Sequence, residues 1–435
     1  MSLSGWNSNN KLKLVIDHSK VDEDLTNFPV LIVLSSGTGI TNSDVTKVFD
    51  ELSTVSGSKK IAITTSLDAQ CPIEIDRWDW ANEEAYLWTK IPTISSGTDT
   101  ELYLYYDSTH ADNTAYVGYT GETAAQQVWD SNFEGVWHLS QDPTGGAGCI
   151  LDSTSNGRNY TPQGTMTAGD LVNTKVGKGL DFDGSNDYLK GSDWCYSNML
   201  TIEAVQKPAV LTVSNMGIVN KRNIGTTSNS SEFSLNYSSD GKVYFIAWND
   251  SDFSFIAVSS GASSTSAYSY TAGRCDGSEA CVVLNDQFGT SVTQVGTIKN
   301  TSSEYQIGAL SNNDTSRYFN GIIDEVRISN IARSDAWLKA TYYSNFDNLI
   351  YFDVFSGYFS GTVSEFSTSI SGAIIYVYNQ TDGSFVGSTT SSGDGGFYIE
   401  TTYSGAHFLV CVDPYGNETY NNLIYGSMYP ATISG

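Results

Sequence analysis

The stretch Phe319-Asn-Gly-Ile-Ile-Asp-Glu-Val-Arg-Ile-Ser-Asn-Ile-Ala-Arg333 carries the strand pattern that decides the fold. Because successive side chains of a strand point to opposite faces, one face of this segment is predicted to carry Ile322, Asp324, Val326 and Ile328. A carboxylate on an apolar face is costly unless a cation, backbone N–H donors or a proton meets it. The pattern therefore predicts a β-strand in which Asp324 needs a partner.

Strand patterns of the same kind recur along the whole chain. Runs of β-branched and aromatic residues, separated by clusters of Gly, Ser, Thr, Asn and Asp, lie at 12–16, 86–91, 102–106, 243–248 and 373–378. Such runs are typical of all-β proteins with frequent turns. Two helices are predicted, over 43–52 and 334–343, the second with Ser334 as its N-cap. We therefore expect an all-β fold made of β-sandwich modules in series.

The composition excludes two kinds of interaction. The 435 residues include 22 Lys and Arg against 48 Asp and Glu, so the formal net charge is −26. A chain this acidic repels the phosphate backbone, and nucleic acid is therefore not expected as a partner. The longest apolar run, at 29–34, is far shorter than the roughly 20 residues of a membrane-spanning helix, so no membrane insertion is expected.

The chain is predicted to contain three domains. At roughly 100–200 residues per domain, its length suggests about three. A polar and poorly periodic stretch at 107–125 suits a connector, and a second break lies near 345–357. No Lys or Arg follows Lys339, and a charge shift of this kind often marks a separate module. The expected domains are 1–125, 126–346 and 357–435.

The first block contains Pro72-Ile-Glu-Ile-Asp-Arg-Trp78 and Val128-Trp-Asp-Ser-Asn-Phe-Glu-Gly-Val-Trp-His-Leu139. In order and spacing these segments resemble an uncharacterised β-rich domain family. Domains of that family often precede laminin-G-like domains in bacterial, archaeal and phage surface proteins. The resemblance covers about the first 140 residues and implies no known chemistry.

The segments Gly135-Val-Trp-His-Leu139 and Gly179-Leu-Asp-Phe-Asp-Gly-Ser-Asn-Asp-Tyr188 pair with the closing stretch 319–333. Together they resemble the laminin-G-like, concanavalin-A-like jelly roll. The resemblance implies a central jelly roll that binds glycans or protein surfaces, and many such domains hold a structural calcium. One departure is Val205-Gln206, where the family usually has Trp followed by a small or polar residue. The inner face is therefore expected to differ there.

The last block includes Gly387-Ser-Thr-Thr-Ser-Ser-Gly-Asp-Gly-Gly-Phe-Tyr-Ile399 and His407-Phe-Leu-Val-Cys-Val-Asp413. These segments resemble the transthyretin-like sandwich that accompanies many surface proteins. The ending Tyr420-Asn-Asn-Leu-Ile-Tyr-Gly426, followed by Met428-Tyr-Pro430, is similar to the C-termini of phage virion proteins. The segment 1–10 lacks the basic and apolar regions of a secretion signal, from which we expect either assembly without secretion or a signal already removed.

A structural calcium ion is the cofactor that the sequence suggests. Calcium takes oxygen ligands from carboxylates, carbonyls and water. Asp152, on the opening motif of the jelly-roll resemblance, is the natural second ligand for an ion held by Asp324. The alternative is a set of hydrogen bonds that ties the first strand of the jelly roll to the last. The acidic segment 181–187 is interpreted as a hairpin turn, since it lacks the Glu that an EF-hand needs.

Sugar binding needs exposed aromatic faces for stacking, with carboxamides and carboxylates nearby for the hydroxyls. In or beside loops of the predicted jelly roll, the candidate glycan contacts are Trp194, Tyr196, Trp248, Asn249 and Asp250. Core packing is the alternative for each Trp, because a β-sandwich usually buries it.

No catalytic residue is predicted. The segment Glu74-Ile-Asp-Arg-Trp-Asp79 imitates the acidic strand of laminarinase-like hydrolases, with Glu74 and Asp76 on one face. Its third acid is Asp rather than Glu, and it lies outside the predicted jelly roll. We interpret these acids as surface carboxylates beside a packed Trp78. His138 is interpreted as a structural histidine in a strand, with its hydrogen bonds satisfied.

The six cysteines form no metal motif. None of them has the Cys-x-x-Cys spacing of a zinc ribbon or a redox dithiol. Cys275 and Cys281 flank a turn, so a disulfide across a hairpin and a pair of free buried thiols are both open interpretations.

The leading hypothesis is a non-enzymatic virion protein, such as a phage decoration or fibre component, that presents a glycan-recognising jelly roll. Its partners would be other virion structural proteins or further copies of itself, together with host or environmental glycans. Its location would be the virion surface. The alternative is a secreted prokaryotic adhesin, extracellular or on the cell surface, with the same modules. A glycoside hydrolase or lyase is a second alternative, which rests on fold analogy and the imperfect Glu74 motif.

Overall fold

The chain forms two compact units, Met1–Phe352 and Asp353–Gly435. The computed structural model describes residues 3–7, 10–194, 197–213, 215–223, 230–311, 316–353, 357–365, 368–380, 383, 385–401, 406–412, 423–428 and 431–432. Strands in several sheets make up nearly all of the regular structure, which confirms the predicted all-β class. Within these ranges, no helix has the length and apolar character that crossing a membrane would require.

The first sandwich begins the first unit. Its strands are β1 (Lys11–Ile16), β2 (Leu25–Leu34), β3 (Ile61–Thr65), β4 (Gln70–Cys71), β5 (Ile73–Asp79), β6 (Glu84–Ile94), β7 (Thr100–Tyr106) and β8 (Val117–Tyr119). One sheet has the order β2-β6-β5-β8, and β8 runs parallel to β5. The other sheet contains the neighbours β1, β7, β3 and β4.

Two short helices accompany this sandwich, α1 (Lys47–Glu51) and α2 (Thr123–Gln126). Helix α1 is shorter than the helix predicted over 43–52. The Asp44 carboxylate accepts hydrogen bonds from the backbone N–H and the hydroxyl of Thr46, and Ser43 forms a β-bridge with Thr38. Aspartate favours such local turns over a helical backbone, so the helix begins later than the apolar spacing predicts.

The jelly roll follows as two large sheets. Its strands are β9 (Phe133–Trp137), β10 (Thr161–Gln163), β11 (Leu171–Asn173), β12 (Lys178–Asp183), β13 (Tyr188–Gly191), β14 (Leu200–Pro208), β15 (Met216–Asn223), β16 (Ser230–Tyr237), β17 (Lys242–Trp248), β18 (Ser254–Ala262), β19 (Ser269–Cys275), β20 (Glu279–Leu284), β21 (Gln287–Phe288), β22 (Val292–Thr293), β23 (Tyr305–Ile307) and β24 (Asn320–Ser329). The seven-stranded sheet has the order β10-β13-β23-β15-β16-β17-β18. The nine-stranded sheet has the order β11-β12-β24-β14-β19-β20-β21, with β9 paired to β24 and β22 to β20.

The core of the jelly roll is formed by apolar side chains from both sheets. They include Leu189, Phe233 and Phe245 from the seven-stranded sheet and Ile202, Val282 and Ile328 from the nine-stranded sheet. The first strand of the domain pairs with the last, since Trp137 on β9 lies opposite Val326 on β24. Strand β24, which contains the Ile322–Ile328 segment, therefore lies inside the nine-stranded sheet, between β12 and β14.

After the jelly roll the chain returns to the first sandwich through α3 (Asp335–Asn345) and β25 (Ile350–Phe352). The Ser334 hydroxyl accepts a hydrogen bond from the Trp337 N–H at 3.2 Å, which confirms the predicted N-cap. Strand β25 pairs antiparallel with β1, with Phe352 opposite Leu14. The two predicted domains 1–125 and 126–346 thus belong to one compact unit, and β25 was assigned to neither of them.

The second unit is smaller. Its strands are β26 (Gly357–Thr362), β27 (Ser364–Glu365), β28 (Thr368–Ser369), β29 (Ile374–Asn379), β30 (Phe385–Thr390), β31 (Gly396–Thr401), β32 (His407–Val412), β33 (Leu423–Met428) and β34 (Ala431–Thr432). They form sheets of the orders β30-β29-β32-β33, β31-β26-β34 and β27-β28. The core residues are Phe359, Ile375, Val377, Ile399 and Leu409. The likeness to transthyretin stays a prediction, and residues 420–422 and 429–430 of the virion-like ending lie outside the described residues.

Cys275 and Cys281 lie on neighbouring strands and are both buried and free. Cys275 is opposite Ala280, whereas Cys281 is opposite Arg274. Because adjacent positions of a strand face opposite sides of the sheet, this register directs the two thiols to different faces. Of the two interpretations, the free thiols are confirmed.

Candidate functional site

The first predicted glycan contact, Trp194, is engaged in contacts within the protein. Its ring stacks on Tyr305 with the ring centroids 3.9 Å apart and the planes at 1°. The Arg158 guanidinium lies 4.4 Å from the centre of the Trp194 ring. These contacts use aromatic surface that a sugar would need, and the role of Trp194 in glycan binding stays a prediction. Tyr196 lies outside the described residues.

Trp248, Asn249 and Asp250 lie together where β17 ends. The Trp248 side chain is buried, with the Arg222 guanidinium 4.6 Å from its ring centre. Asn249 holds the following loop, because its Nδ2 donates to the Val295 carbonyl at 2.7 Å and its Oδ1 accepts from two backbone N–H groups, those of Ser251 and Phe253. Of the three candidates, Trp248 and Asn249 are buried and Asp250 is exposed.

A row of polar side chains on the seven-stranded sheet was missed by the sequence reasoning. Phe233, Leu235 and Tyr237 of β16 enter the core, so Ser234 and Asn236 point to the opposite face. Asn236 Nδ2 donates to Ser234 Oγ at 2.7 Å, and Ser234 Oγ donates to Asn220 Oδ1. Among the described residues, Asn236 Oδ1 has no hydrogen-bond partner. Asn220, Ser234 and Asn236 are all buried, so their hydrogen bonds are made within the protein and any ligand would have to contact the more exposed neighbours of this row.

Aromatic and apolar side chains continue this face towards the edge of the sheet. Tyr244 lies opposite Asn236, and Val258 lies opposite Tyr244. Ile256 on the edge strand β18 is 44% exposed, and Phe253 in the preceding loop is 70% exposed. A groove of about 310 Å³ lies beside them, lined by Lys242, Ile256, Val258, Ser259, Ser260, Thr290 and Val292. We name the face formed by Asn220, Ser234, Asn236, Tyr244 and Ile256 the amide face.

Asp152, the first predicted calcium ligand, is buried and surrounded by donors. Its Oδ1 accepts hydrogen bonds from the N–H groups of Val136 and Thr154 at 3.1 and 2.9 Å. Its Oδ2 accepts from the Arg158 N–H and the Thr154 hydroxyl, both at 2.9 Å. Burial nevertheless raises the pKa of the Asp152 carboxyl. These bonds tie β9 to the following loop and not to β24, whereas the alternative interpretation expected bonds between the first and the last strand of the jelly roll.

Asp324, the second predicted ligand, does not share a face with the apolar residues that follow it, and this prediction was wrong. A β-bulge is the reason. Val205 of β14 pairs with Asp324 and Glu203 pairs with Arg327, so two residues of β24 oppose Ala204 alone. Glu325 has a φ of +49° at this point. The bulge shifts the alternation, so that the core residues of β24 are Ile323, Val326 and Ile328.

The bulge directs the charged residues of β24 away from the jelly-roll core and into a buried polar cluster. One Glu325 oxygen lies 2.6 Å from His138 Nδ1, and the other accepts a hydrogen bond from Arg327 Nη2 at 2.8 Å. Asp324 Oδ2 accepts a hydrogen bond from the Thr174 hydroxyl at 2.6 Å, and its Oδ1 is unpartnered within the described part of the chain. Asp152 and Asp324 therefore have different hydrogen-bond partners.

The first sandwich contributes two acids to the same cluster. Strand β5 also has a bulge, because Ile75 pairs with Leu87 and Arg77 with Tyr86, which leaves Asp76 as the extra residue. One side-chain donor atom from each of Asp76, His138 and Glu325 lies within 4.8 Å of the others. The interior between the first sandwich and the jelly roll thus contains a group of potential metal ligands.

Glu74 is not a surface carboxylate, which corrects our interpretation of its segment. It is fully buried, and its Oε1 accepts hydrogen bonds from the hydroxyls of Thr120 and Ser153, both at 2.7 Å. Its Oε2 accepts from Trp129 Nε1 at 2.6 Å. Because three donors hold Glu74 in the interior, it is placed to join the two domains rather than to attack a substrate. Trp78 is packed, as predicted.

His138 is buried, as expected of a structural histidine, but it lies just after β9 and only one of its nitrogens is hydrogen-bonded. Its Nε2 is 3.5 Å from Glu74 Oε1 and has no hydrogen bond to any described residue. Burial alone would lower the pKa of His138, but the carboxylates of Glu325, Glu74 and Asp76 raise it well above its ordinary value.

The acids of the cluster differ in their pKa values for the same reasons. Burial raises the pKa of Asp76 to about 7, and it raises the pKa of Asp324 well above the ordinary value. Burial would also raise the pKa of Glu325, but the charges of His138 and Arg327 hold it below the usual range. The strand patterns named these acids individually, yet no local signal could indicate that residues so distant in sequence meet.

Comparison with solved structures finds weak likenesses. Domain 4 of AbnA, a GH43 extracellular arabinanase from Geobacillus stearothermophilus, in complex with arabinotriose, is 17% identical, with a TM-score of 0.38, and the match covers 48% of this chain and 97% of that one. The binding domain of Paraclostridial Mosquitocidal Protein 1 is 11% identical over 67% of this chain and 73% of its own, with a TM-score of 0.40.

A third structure, the CBM40 of the Ruminococcus gnavus IT-sialidase bound to alpha2,3 sialyllactose, is 17% identical over 38% of this chain and 96% of its own, with a TM-score of 0.32. Likenesses of this strength support no argument about function. No curated protein matches the chain in sequence.

Two known protein families match separate parts of the chain. Residues 58–138 match a domain of unknown function, DUF2341. Residues 183–339 match the concanavalin A-like lectin/glucanases superfamily. The first match agrees with the uncharacterised N-terminal family and the second with the central jelly roll that the sequence motifs indicate. The chain therefore carries a concanavalin A-like domain behind a DUF2341 domain.

Proposed function

We propose that this chain is a non-enzymatic surface protein whose jelly roll binds a glycan. The observation that carries the proposal is the match of residues 183–339 to the concanavalin A-like lectin/glucanases superfamily. The outer part of the amide face supports it, because the half-buried Tyr244 and the exposed Ile256 and Phe253 lie near a groove of about 310 Å³ that Lys242 and Ser260 help to line. Sugars are recognised by such combinations of polar groups and aromatic rings.

A hydrolytic or lyase function has less support. The superfamily that residues 183–339 match includes glucanases, which hydrolyse glycosidic bonds, and Glu74 and Asp76 are the acids that the sequence motif offers for this reaction. A retaining glycosidase needs two carboxyl groups about 5–5.5 Å apart that reach the substrate. Glu74 is fully buried with three hydrogen-bond donors, and both oxygens of Asp76 are inaccessible to solvent. This pair would have to be uncovered before a polysaccharide could reach it.

For the setting of the protein we propose the virion surface, as a phage decoration or fibre component with other virion proteins or further copies of itself as partners. The similarity of the C-terminal sequence to virion proteins supports this proposal. A secreted adhesin on a prokaryotic cell surface is the second candidate, since sandwich modules in series suit it equally. Mass spectrometry of purified virus-sized particles and of the cell envelope separates the two, because stoichiometric copurification with capsid or tail proteins is expected only of the first.

The glycan proposal is tested on an array of immobilised glycans with the labelled full-length chain. We expect retention on a subset of glycans, reduced at least tenfold by Tyr244→Ala on the amide face. Tyr268→Ala is the matched control, because Tyr268 is similarly half-buried but its hydroxyl donates to the Asn173 carbonyl at the end of β11. Asp250→Ala tests the exposed residue of the predicted loop.

Thermal unfolding of each variant shows whether its fold is intact. Absence of retention of the unmodified chain on every glycan would refute the proposed function. Retention that Tyr244→Ala leaves unchanged, while Asp250→Ala abolishes it, would place the site in the loop after β17 instead.

A further inference from the structure

The buried cluster between the first sandwich and the jelly roll has more acceptors than its hydrogen bonds use. Both carboxylate oxygens of Asp76, the Nε2 of His138 and the Oδ1 of Asp324 lack accessible surface and have no hydrogen-bond partner among the described residues. Buried polar atoms are almost always paired, and leaving one unpaired is costly. Four unpaired atoms on three neighbouring side chains therefore point to a missing partner rather than to chance.

The charges of the cluster point to a cation. Its acids are Glu74, Asp76, Asp324 and Glu325, whereas its basic groups are the Arg327 guanidinium and the His138 imidazole. Four carboxyl groups thus face two basic groups, and the raised pKa values of Asp76 and Asp324 show that protons can meet part of the difference. Buried charge needs compensation by a counter-ion or a proton, and a divalent cation would balance this excess.

The geometry at His138 favours a metal bound to its free nitrogen. Glu325 accepts from the Nδ1 side of the ring at 2.6 Å, so a metal ion that displaces the Nε2 proton would bind on the side of the ring away from Glu325. A carboxylate that holds one ring nitrogen while the other binds metal is a common arrangement at metal sites. Glu74 Oε1, 3.5 Å from Nε2, lies on the same side.

The donor types decide between metals. Calcium and magnesium take oxygen ligands, whereas imidazole together with carboxylates suits zinc and related transition metals. Ligands of zinc lie about 2.0–2.2 Å from the ion, so two ligand atoms are at most about 4.4 Å apart. Asp76, His138 and Glu325 each offer a donor atom within 4.8 Å of the others, which places Asp76 close enough to share an ion with His138 while Glu325 orients the imidazole.

We propose that Asp76 and Nε2 of His138 bind a divalent transition-metal ion, with Zn²⁺ as the best fit, at the junction of the first sandwich and the jelly roll, while Glu325 holds the imidazole through Nδ1. The ion joins strand β5 to the segment after β9, which belong to the two domains, and Glu325 connects the site to strand β24. Asp76 as a whole residue is partly exposed, and its Oδ2 lies close to Gly177. The role of the ion is structural, and the proposal is independent of glycan binding.

The test measures metal content in the full-length chain. After removal of metals by a chelator, the protein is incubated with Zn²⁺, Mn²⁺ or Ca²⁺, dialysed, and analysed by mass spectrometry of the elements and by thermal unfolding. We expect one equivalent of Zn²⁺ per chain and a higher unfolding temperature with Zn²⁺ than with Ca²⁺. In Asp76→Asn, zinc affinity is expected to fall at least tenfold.

Asp181→Asn is the matched control, because Asp181 is an exposed acid on the neighbouring strand β12, and it should keep the zinc. If Asp76→Asn fails to fold, the absorption spectrum of the Co²⁺-loaded wild-type chain decides, since mixed nitrogen and oxygen ligation gives visible bands that free Co²⁺ in buffer lacks at that intensity. No bound transition metal in the wild-type chain would refute the proposal. Binding of Ca²⁺ alone, lost in Asp152→Asn, would refute it in favour of the calcium site predicted at Asp152 and Asp324.

Discussion

Single residues in this protein gain their roles from partners distant in sequence. Asp130 and Arg333 illustrate this, because the two nitrogens Nη1 and Nη2 of Arg333 each donate to one Asp130 oxygen at 2.9 Å. The guanidinium also lies 4.3 Å from the ring centre of Phe133 and 4.1 Å from that of Trp337. This two-bonded ion pair connects the start of the jelly roll to α3, and its geometry is the strongest kind for Arg with a carboxylate.

The loss of folding stability caused by removing this ion pair is expected to depend on pH. Burial alone would raise the pKa of Asp130, but the hydrogen bonds and charge of Arg333 hold it below its ordinary value. Since the folded-state pKa is lower than the unfolded one, the carboxylate stabilises the fold above about pH 4, and the contribution is lost as the pH falls through the folded-state pKa. We expect Asp130→Asn to lower the free energy of unfolding of the first unit by about 2 kcal/mol at pH 7.

Urea unfolding of wild type and Asp130→Asn at pH 7 and at pH 3 measures this difference. It should shrink at the lower pH. Asp22→Asn is the control, because Asp22 forms an ion pair with Lys339 at the surface. The Asp22 side chain is 53% exposed, and such exposed pairs contribute little to stability. A difference for Asp130→Asn that stays constant between the two pH values would contradict the assignment.

At the scale of elements, the sequence predicts the regular strands and helix α3 but not the β-bulges that interrupt the strands. Alternation of apolar residues predicts the strands, and the N-cap Ser334 with helical spacing predicts α3. The bulges at Asp76 and Glu325 were not predicted, because a bulge inserts one residue without changing the local composition. The β24 bulge moves Asp324 off the core face, so the error about one face and the missed cluster have the same physical cause.

The capping of α3 provides a test at this scale. Ser334 satisfies the N–H of Trp337, and loss of such a cap typically costs about 1 kcal/mol. Ser334→Ala should therefore lower the free energy of unfolding of the first unit by about that amount, measured by urea unfolding. Ser264→Ala serves as the reference, because Ser264 is exposed and, within the described part of the chain, its hydroxyl bonds to the nearby Ser266 alone. Equal stabilities of the two variants would show that the cap contributes nothing.

At the scale of the molecule, the first sandwich and the jelly roll form one unit because the chain leaves the first sandwich and comes back to it. Strand β25 pairs with β1 at the edge of its sheet. The backbone N–H of Leu31 donates to the Ser344 hydroxyl of α3 at 2.9 Å. The ring of Phe28 on β2 packs edge-on against Trp337 with the centroids 4.7 Å apart. Sequence patterns reveal modules but not such returns, since three residues of a strand carry almost no periodicity.

Truncation tests the importance of this return. A chain that ends at residue 346 lacks β25 and should unfold at a lower temperature than a chain that ends at residue 353. Ile350 and Phe352 are both buried, and full burial of such side chains contributes about 1.5–3 kcal/mol each. Differential scanning calorimetry measures the difference. The chain that ends at 353 should match the transition of the first unit in the full-length protein, and equal temperatures for both truncations would refute the contribution of β25.

The pairing of β1 with β25 also has a mechanical consequence. Because the strands are antiparallel with Leu14 opposite Phe352, the chain enters and leaves the first unit at the same end of the pair. Tension between Lys11 and Asp353 would load the hydrogen bonds one after another, starting at Phe352. The jelly roll lies between these strands in the chain and stays outside the line of force until they separate. In a chain pulled between these two points, the first sandwich would yield while the jelly roll remains folded.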